Sequence, residues 1–264
     1  MSSTTFYFLF FAVLLSLFGF SSAAAQSADS TARPTSVSDK WTIEHVLKQE
    51  SISDVAIAPD GRRVLWTKRT PDFEKDRTTS DLHLTFADTT GDPETIQLTR
   101  TGDNRSPQWS QDGQTIAFIS SRKNAEAKEG ENGGDEKAQI WLMDVRGGEP
   151  RALTSLENPP ERFHWLDSTR ILLSAREAPT ADEKARKEAK DDATAIEDTA
   201  RFYAVRLFTV DTQSKEVKRI TTNGHQIGEF APDPSGRYVV YDLDTSPIDS
   251  DARNQGRQYL LDLE

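Results

Sequence analysis

The feature that most constrains this chain is a unit of four short extended runs that returns along its length. In its clearest copy, Ser106 to Thr154, the runs are Pro107 to Ser110, Thr115 to Ser120, Gln139 to Met143 and Pro150 to Thr154. Each is rich in aromatic and β-branched residues and is bounded by turn formers, which is the pattern of a strand. Asp112-Gly113 separates the first two runs and Gly147-Gly148 the last two. Glycine suits both places, because a tight hairpin turn needs positive φ and a residue without Cβ adopts it without a clash. The copy therefore reads as a four-stranded antiparallel meander. One such meander cannot hide both faces, whereas stacked copies cover one another.

Copies are present on both sides. Upstream, Ser53 to Lys68 forms a first hairpin around Asp60-Gly61, and a second follows with Leu82, Leu84 and Phe86 in alternation, Asp88, a turn, and Ile96 to Thr99. Downstream, Phe163 to Ala175 supplies a first hairpin, with Leu207 to Asp211 and Val217 to Thr221 as the second. A fourth copy runs from Gly228 through Ser235-Gly236 and Tyr238 to Tyr241, and enters Tyr259 to Asp262. Gly61 and Gly113 lie 52 residues apart, Leu98-Thr99 and Leu153-Thr154 lie 55 apart, and Ile220-Thr221 lies 67 further on. A four-strand unit repeating at roughly 40 to 50 residues is the signature of a β-propeller blade. The alternative is a β-sandwich with similar hairpins, but sandwich strands carry no such period. The expected fold is thus all-β, a partial β-propeller of about three and a half four-stranded antiparallel blades, with a short amino-terminal helix and a helical insertion in the third blade. Blade boundaries fall at residues 51–104, 105–158, 159–225 and 226–264, the last incomplete.

Ahead of the blades, Phe6 to Phe20 is an uncharged apolar run, and Ala23-Ala24-Ala25 gives the small-residue pattern of a signal-peptidase site. Residues 1–25 therefore read as a signal peptide cleaved after Ala25, and residues 26–40 as a Ser, Thr, Ala-rich linker, so the protein is expected to be exported, periplasmic or secreted. A retained amino-terminal anchor is the other reading of the same run. With no cysteine in the chain, disulfides are excluded and stability rests on packing. A net charge of -11 and the lack of a basic stripe with interleaved aromatics argue against a nucleic-acid partner. No membrane partner is expected once the signal has been removed.

Trp41 to Glu50 reads as a short helix capped by Thr42, with Ile43, Val46 and Leu47 on one face that should pack on the first blade or over an end of the ring. Three charged insertions, Thr70 to Ser80, Arg122 to Lys137 and Pro179 to Ala200, occupy the same place between second and third strands and should gather near one face. The third, with Ala181 to Lys190 built of helix formers and opposite charges three and four apart, reads as a solvated helical arm. Glu126 to Glu136 is acidic but lacks the ligand spacing of a calcium loop. Each third strand ends on Asp, and these residues, with Asp242-Leu243-Asp244, read as turn formers.

The hairpin Pro107-Gln-Trp-Ser-Gln-Asp-Gly-Gln-Thr-Ile-Ala-Phe, followed by Ile140-Trp-Leu-Met-Asp, resembles the repeat shared by TolB-type propellers and by the propeller of the prolyl oligopeptidase family of serine peptidases. Trp41 to Lys48 leading into Ile52 to Arg62 resembles the start of exported bacterial dipeptidyl or acylaminoacyl peptidases, and Glu183 to Ala193 is similar to their third-blade insertion. That resemblance implies a propeller joined to a carboxy-terminal α/β-hydrolase domain with a Ser, Asp, His triad, acting on peptide substrates. The sequence departs from it in having no G-x-S-x-G elbow and no alternating strand and helix region. No catalytic, cofactor-binding or metal residue is therefore assigned. Of the four histidines, His45 sits on the entry helix, His83 and His164 lie within strands and His225 in a turn, and each reads as structural. The leading functional expectation is the non-catalytic, substrate-gating propeller of an exported serine-type peptidase, its ring left incomplete in these residues. The alternative is a TolB-like periplasmic module that presents loops to protein partners. A propeller-fold hydrolase of small molecules is a third, for which the strands show no acidic or histidine clusters.

Overall fold

The structure is a computed structural model that describes residues 41–87, 91–123, 137–177, 184–185, 188–189, 204–222, 224, 226–244 and 257–264. The chain divides into two units, Met1–Trp41 and Thr42–Glu264, and every element named below lies in the second. The expected signal peptide, the linker and the acidic Glu126 to Glu136 segment lie outside the described residues, as does His225.

Among the described residues a helix, α1 (Ile43–Leu47), is followed by fifteen strands in four separate antiparallel sheets. The first blade holds β1 (Ser51–Ile57), β2 (Arg63–Asp72), β3 (Arg77–Phe86) and β4 (Thr95–Gln97) in sequence order. In the second, β5 (Asn104–Trp109), β6 (Thr115–Ser120), β7 (Gln139–Asp144) and β8 (Arg151–Ala152) follow the same meander. So do β9 (Pro160–Trp165), β10 (Arg170–Arg176), β11 (Val205–Asp211) and β12 (Val217–Arg219) in the third. The fourth has three described strands, β13 (Gln226–Pro232), β14 (Tyr238–Asp244) and β15 (Arg257–Asp262).

Side chains alternate across a strand, so a sheet packed on both sides must be apolar at consecutive positions. β6 shows this directly. Ile116 and Phe118 join Leu65, Leu82 and Leu84 in a core between blades one and two. Their neighbours Ala117 and Ile119 join Phe163, Trp165, Ile171 and Leu173 in a core between blades two and three. β10 repeats the division, with Leu172 turning to Ile227, Phe230 and Val239 of blade four. Removing a side chain such as Leu172, fully buried, should cost about 2 to 5 kcal/mol. The two outer faces are bare by contrast: Ile52 is 65% and Ile57 67% exposed on blade one, and Leu260 67% on blade four.

The recurrent Leu-Thr or Ile-Thr pair closes each of the first three blades by one device. Leu98, Leu153 and Ile220 each donate an N–H to the carbonyl of Leu82, Ile140 and Leu207 at 2.8 Å. The following threonine turns its hydroxyl inward, and Leu82, Ile140 and Leu207 donate their own N–H groups to Thr99, Thr154 and Thr221 Oγ1 at 2.9, 3.0 and 3.0 Å. Fourth strands of two or three residues are too short to satisfy that buried donor, and the hydroxyl takes the place of a strand carbonyl. Turns recur in the same way. Gly61, Gly113 and Gly236 stand at φ of 70°, 66° and 69°, and the Asp before or near each accepts backbone N–H groups, as Asp112 does from Gln114 at 3.0 Å. Asp144, Asp211 and Asp262 accept N–H groups beyond their strands, which confirms them as turn formers. Donation from Arg146 holds the Asp144 carboxyl down at about 2.

Three expectations need adjustment. Thr70 to Ser80 is no insertion between the strands: β2 and β3 continue through it as one long hairpin, pairing Thr70 with Thr79 and Asp72 with Arg77. Charged composition hid a two-stranded ribbon whose faces are solvated. Asp242, expected in a turn, lies in β14 and pairs with Gln258, and Asp244 pairs with Gln226. Helix α1 is capped as expected, with His45 N–H donating to Thr42 Oγ1 and Thr42 N–H to His45 Nδ1, both at 3.3 Å. Its apolar face, however, meets no blade: Ile43, Val46 and Leu47 are all exposed. In the third insertion, Lys184, Ala185 and Glu188 are helical and Ala189 donates to the Ala185 carbonyl at 2.9 Å, in keeping with a helical arm; the rest of that insertion lies outside the described residues.

Two histidines are packed between rings. His83 stacks on Trp66 at 4.6 Å, and His164 meets Phe230 edge-on at 5.2 Å across the junction of blades three and four. Burial lowers the pKa of both, because a desolvated imidazolium is disfavoured. The unfolded chain then binds protons more readily than the folded one, so stability falls as pH drops through about 6.5. The urea midpoint should decline between pH 7.5 and 5.5, and the double variant His83→Gln, His164→Gln should flatten that decline. Thr154→Val should lower stability by about 1 to 3 kcal/mol in urea unfolding by orphaning the Ile140 N–H, with Thr154→Ser retaining most of it. Gly236→Ala should be worse tolerated than an ordinary surface change, since its Cβ would stand 2.4 Å from the Leu166 carbonyl oxygen.

Candidate functional site

First strands sit innermost. β5 touches β1 on one side and β9 on the other, and β13 touches β9, while β4, β8 and β12 hold the opposite sheet edges. β1, β5, β9 and β13 therefore line a common axis. All four carry a bulge, between Ser53 and Ala56, Arg105 and Gln108, Pro160 and Arg162, and Ile227 and Phe230, in chain order β1, β5, β9 and β13. In the first two the extra residue is not glycine: Asp54 and Ser106 both stand at φ 51°. A left-handed residue other than glycine costs about 1 to 3 kcal/mol and persists where surroundings hold it; bulges of this kind re-aim side chains.

At these two bulges the junction of blades one and two changes character. The inward positions of β2 run Leu65, Thr67, Arg69, and their partners on β3 run Leu84, Leu82, Ser80. The apolar core thus gives way to hydroxyls and charge toward the end where β2 turns into β3. A cleft of about 390 Å³ opens there, lined by Ser53 and Asp54 of β1, Thr67 and Arg69 of β2, Thr78 and Ser80 of β3, and Asp103 to Ser106 at the start of β5.

Its back is fixed by a hydrogen-bond network. Asn104, fully buried, donates Nδ2 to the Ser80 carbonyl at 3.0 Å and to Asp81 Oδ1 at 3.2 Å, and its own N–H to Ser80 Oγ at 3.1 Å. Arg122 donates to Asn104 Oδ1 at 2.7 Å, with its guanidinium over the Phe118 and Trp141 rings at 5.0 and 5.2 Å. Burial lowers the Arg122 pKa, opposed by the Asp81 and Asp103 charges. Asn104 has its capacity filled, so the groups left to a ligand are hydroxyls, Arg69, Arg105, Asp54 and Asp103, whose Oδ2 accepts the Ser121 N–H at 3.1 Å. No histidine lines the cleft. Its chemistry is that of binding, with donors, acceptors and charges of both signs. Among the described residues, no three His, Asp or Glu side chains gather as a metal ion requires.

None of the cleft residues was singled out in the sequence. The signal lay in β2 and β3, whose inward alternation fades from Leu to Thr, Ser and Arg at the same end, but only the paired register brings the two fading ends together.

No family model matches the chain. It is 28% identical over 236 residues to the uncharacterized peptidase YuxL of Bacillus subtilis, a match covering 83% of this chain and 33% of that protein. Among solved structures it is similar to the acylaminoacyl peptidase of Pyrococcus horikoshii, with a TM-score of 0.55, 17% identity, and 81% of this chain against 31% of that one. A putative TolB from Agrobacterium tumefaciens gives a TM-score of 0.50 at 16% identity, over 81% of this chain and 58% of that one. The chain thus spans about a third of the length of the peptidases it matches. The resemblance read from the hairpin repeat stands: these are blades of the kind shared by TolB-type propellers and by the propeller of prolyl oligopeptidase-family peptidases.

Proposed function

We propose that this chain is the propeller portion of an exported serine-type peptidase resembling dipeptidyl and acylaminoacyl peptidases, with bond cleavage carried out by an α/β-hydrolase domain outside residues 1–264. The observation that carries this reading is the 28% identity to a peptidase, running through 83% of the chain. The fold likeness to an acylaminoacyl peptidase supports it. In this reading the propeller acts by geometry. Stiff blades around a polar axis admit an extended peptide and turn away a folded domain, while acyl transfer follows serine chemistry elsewhere. Export is supported by the apolar run Phe6 to Phe20 and the Ala23 to Ala25 site. Among the described residues no helix is long and apolar enough to cross a membrane.

A second reading, a TolB-like periplasmic module that binds protein partners, is favoured by the likeness to the TolB propeller. The complete reading frame separates the two. Its product should label with a fluorophosphonate at a serine beyond Glu264, while residues 1–264 alone stay unlabelled. Labelling within residues 1–264 would overturn the assignment of a non-catalytic propeller. A stop codon directly after Glu264, with unrelated sequence beyond, would favour the module.

A further inference from the structure

The axial cleft between blades one and two has the marks of a ligand site. Thr67 is 1% exposed and lines it, yet its hydroxyl oxygen has no hydrogen-bond partner among the described residues. A buried hydroxyl is almost always satisfied, and one that is not asks for an incoming group. Two guanidinium groups share the lining. In a chain of net charge -11, many arginines find acidic or carbonyl partners, as Arg63 does at Asp60, Arg162 at Glu229 and Arg237 at Asp262, while the guanidinium groups of Arg62, Arg77, Arg100 and Arg257 are without such a partner among the described residues. Arg69 and Arg105 have none among the described residues, although both lie in the same cleft. Opposite charge is present too: the Asp54 carboxylate, on its left-handed bulge, accepts the Ser53 hydroxyl at 3.1 Å.

Unpaired guanidinium is the donor best matched to a carboxylate, which it can hold through two parallel hydrogen bonds. An exposed carboxylate beside it suits an ammonium. A volume near 390 Å³ is at the small end of ligand sites, room for about two or three amino-acid residues. We propose that this cleft binds a short peptide with free ends, its carboxylate against Arg69 and Arg105, its ammonium against Asp54, and its main chain against the hydroxyls of Thr67 and Ser106. The inference deepens the peptidase reading and rests on it for the supply of such peptides, since cleavage releases short zwitterions. The site lies beside the axis, at the end where β2 turns into β3.

The test is isothermal titration of the intact protein after treatment with a fluorophosphonate, so that no peptide is consumed. Trialanine should bind, trialanine amide should bind about tenfold more weakly or less, and the N-acetylated peptide should also lose affinity. Arg69→Gln and Arg105→Gln should each reproduce the amide's loss with an unchanged melting temperature, since neither side chain supports the fold. Equal affinity for trialanine and its amide would overturn the proposal, as would silence toward trialanine in a sample that melts as native. Inorganic phosphate binding as tightly as trialanine, with Asp54→Asn without effect, would reduce the site to a simple anion site and overturn it equally. A protein that binds trialanine but takes no fluorophosphonate keeps the cleft and removes the peptidase reading. The reverse removes the cleft alone.

Discussion

Everything in this structure depends on one requirement: each inner sheet must be covered on both faces by another sheet. A twisted four-stranded meander buries little by itself, and its stability comes from side chains driven between neighbours. Ile116 and Ala117 are adjacent in sequence and belong to different cores. A polar residue placed at either would be buried on one side or the other, so β6, β7 and β10 have no tolerant face. β1 and β14, each with one covered face, carry exposed apolar residues such as Ile57 and Val240 on the other. Solvated surfaces of folded domains seldom present apolar residues this way across a whole sheet face.

The same requirement explains the small devices at blade margins. Strands two or three residues long cannot supply a full ladder, so Thr99, Thr154 and Thr221 complete it with a side chain. Where blades approach most closely, side chains are reduced or replaced by hydrogen bonds. Gly236 lies against the Leu166 carbonyl, Gln111 donates to that same oxygen at 3.0 Å, and Trp109 donates its indole N–H to the Ala56 carbonyl at 3.1 Å. Each of these links a turn or inner strand to the next blade, which fixes the angle between sheets as well as their distance.

Strand positions, turns and the propeller class were legible because they are periodic, and periodicity needs no knowledge of contacts. Thr115 to Ser120 was read to the residue. What escaped detection depends on partners. Thr70 to Ser80 reads as an insertion because its residues are polar and charged, but a ribbon whose tip is solvated has no reason to be otherwise. Asp242 was read by residue type, and register placed it opposite Gln258 instead. The face of α1 was legible as amphipathic, while the absence of a blade against it was not. The cleft was least visible of all, since Ser53, Thr67, Ser80 and Arg105 come from four strands and meet only after two bulges turn the inner strands.

Fold and site therefore occupy different parts of the same sheets. The apolar half of each inter-blade junction answers to packing alone, and many sequences satisfy it, which is why 16 or 17% identity suffices for the shared architecture. The polar end answers to nothing in the packing. Leu65 and Leu82 hold blades one and two together whatever stands at Arg69 or Arg105, which are exposed. Keeping a desolvated threonine hydroxyl and two left-handed bulges at one spot works against stability, and residues that oppose the fold in which they sit are the ones that a function has to explain.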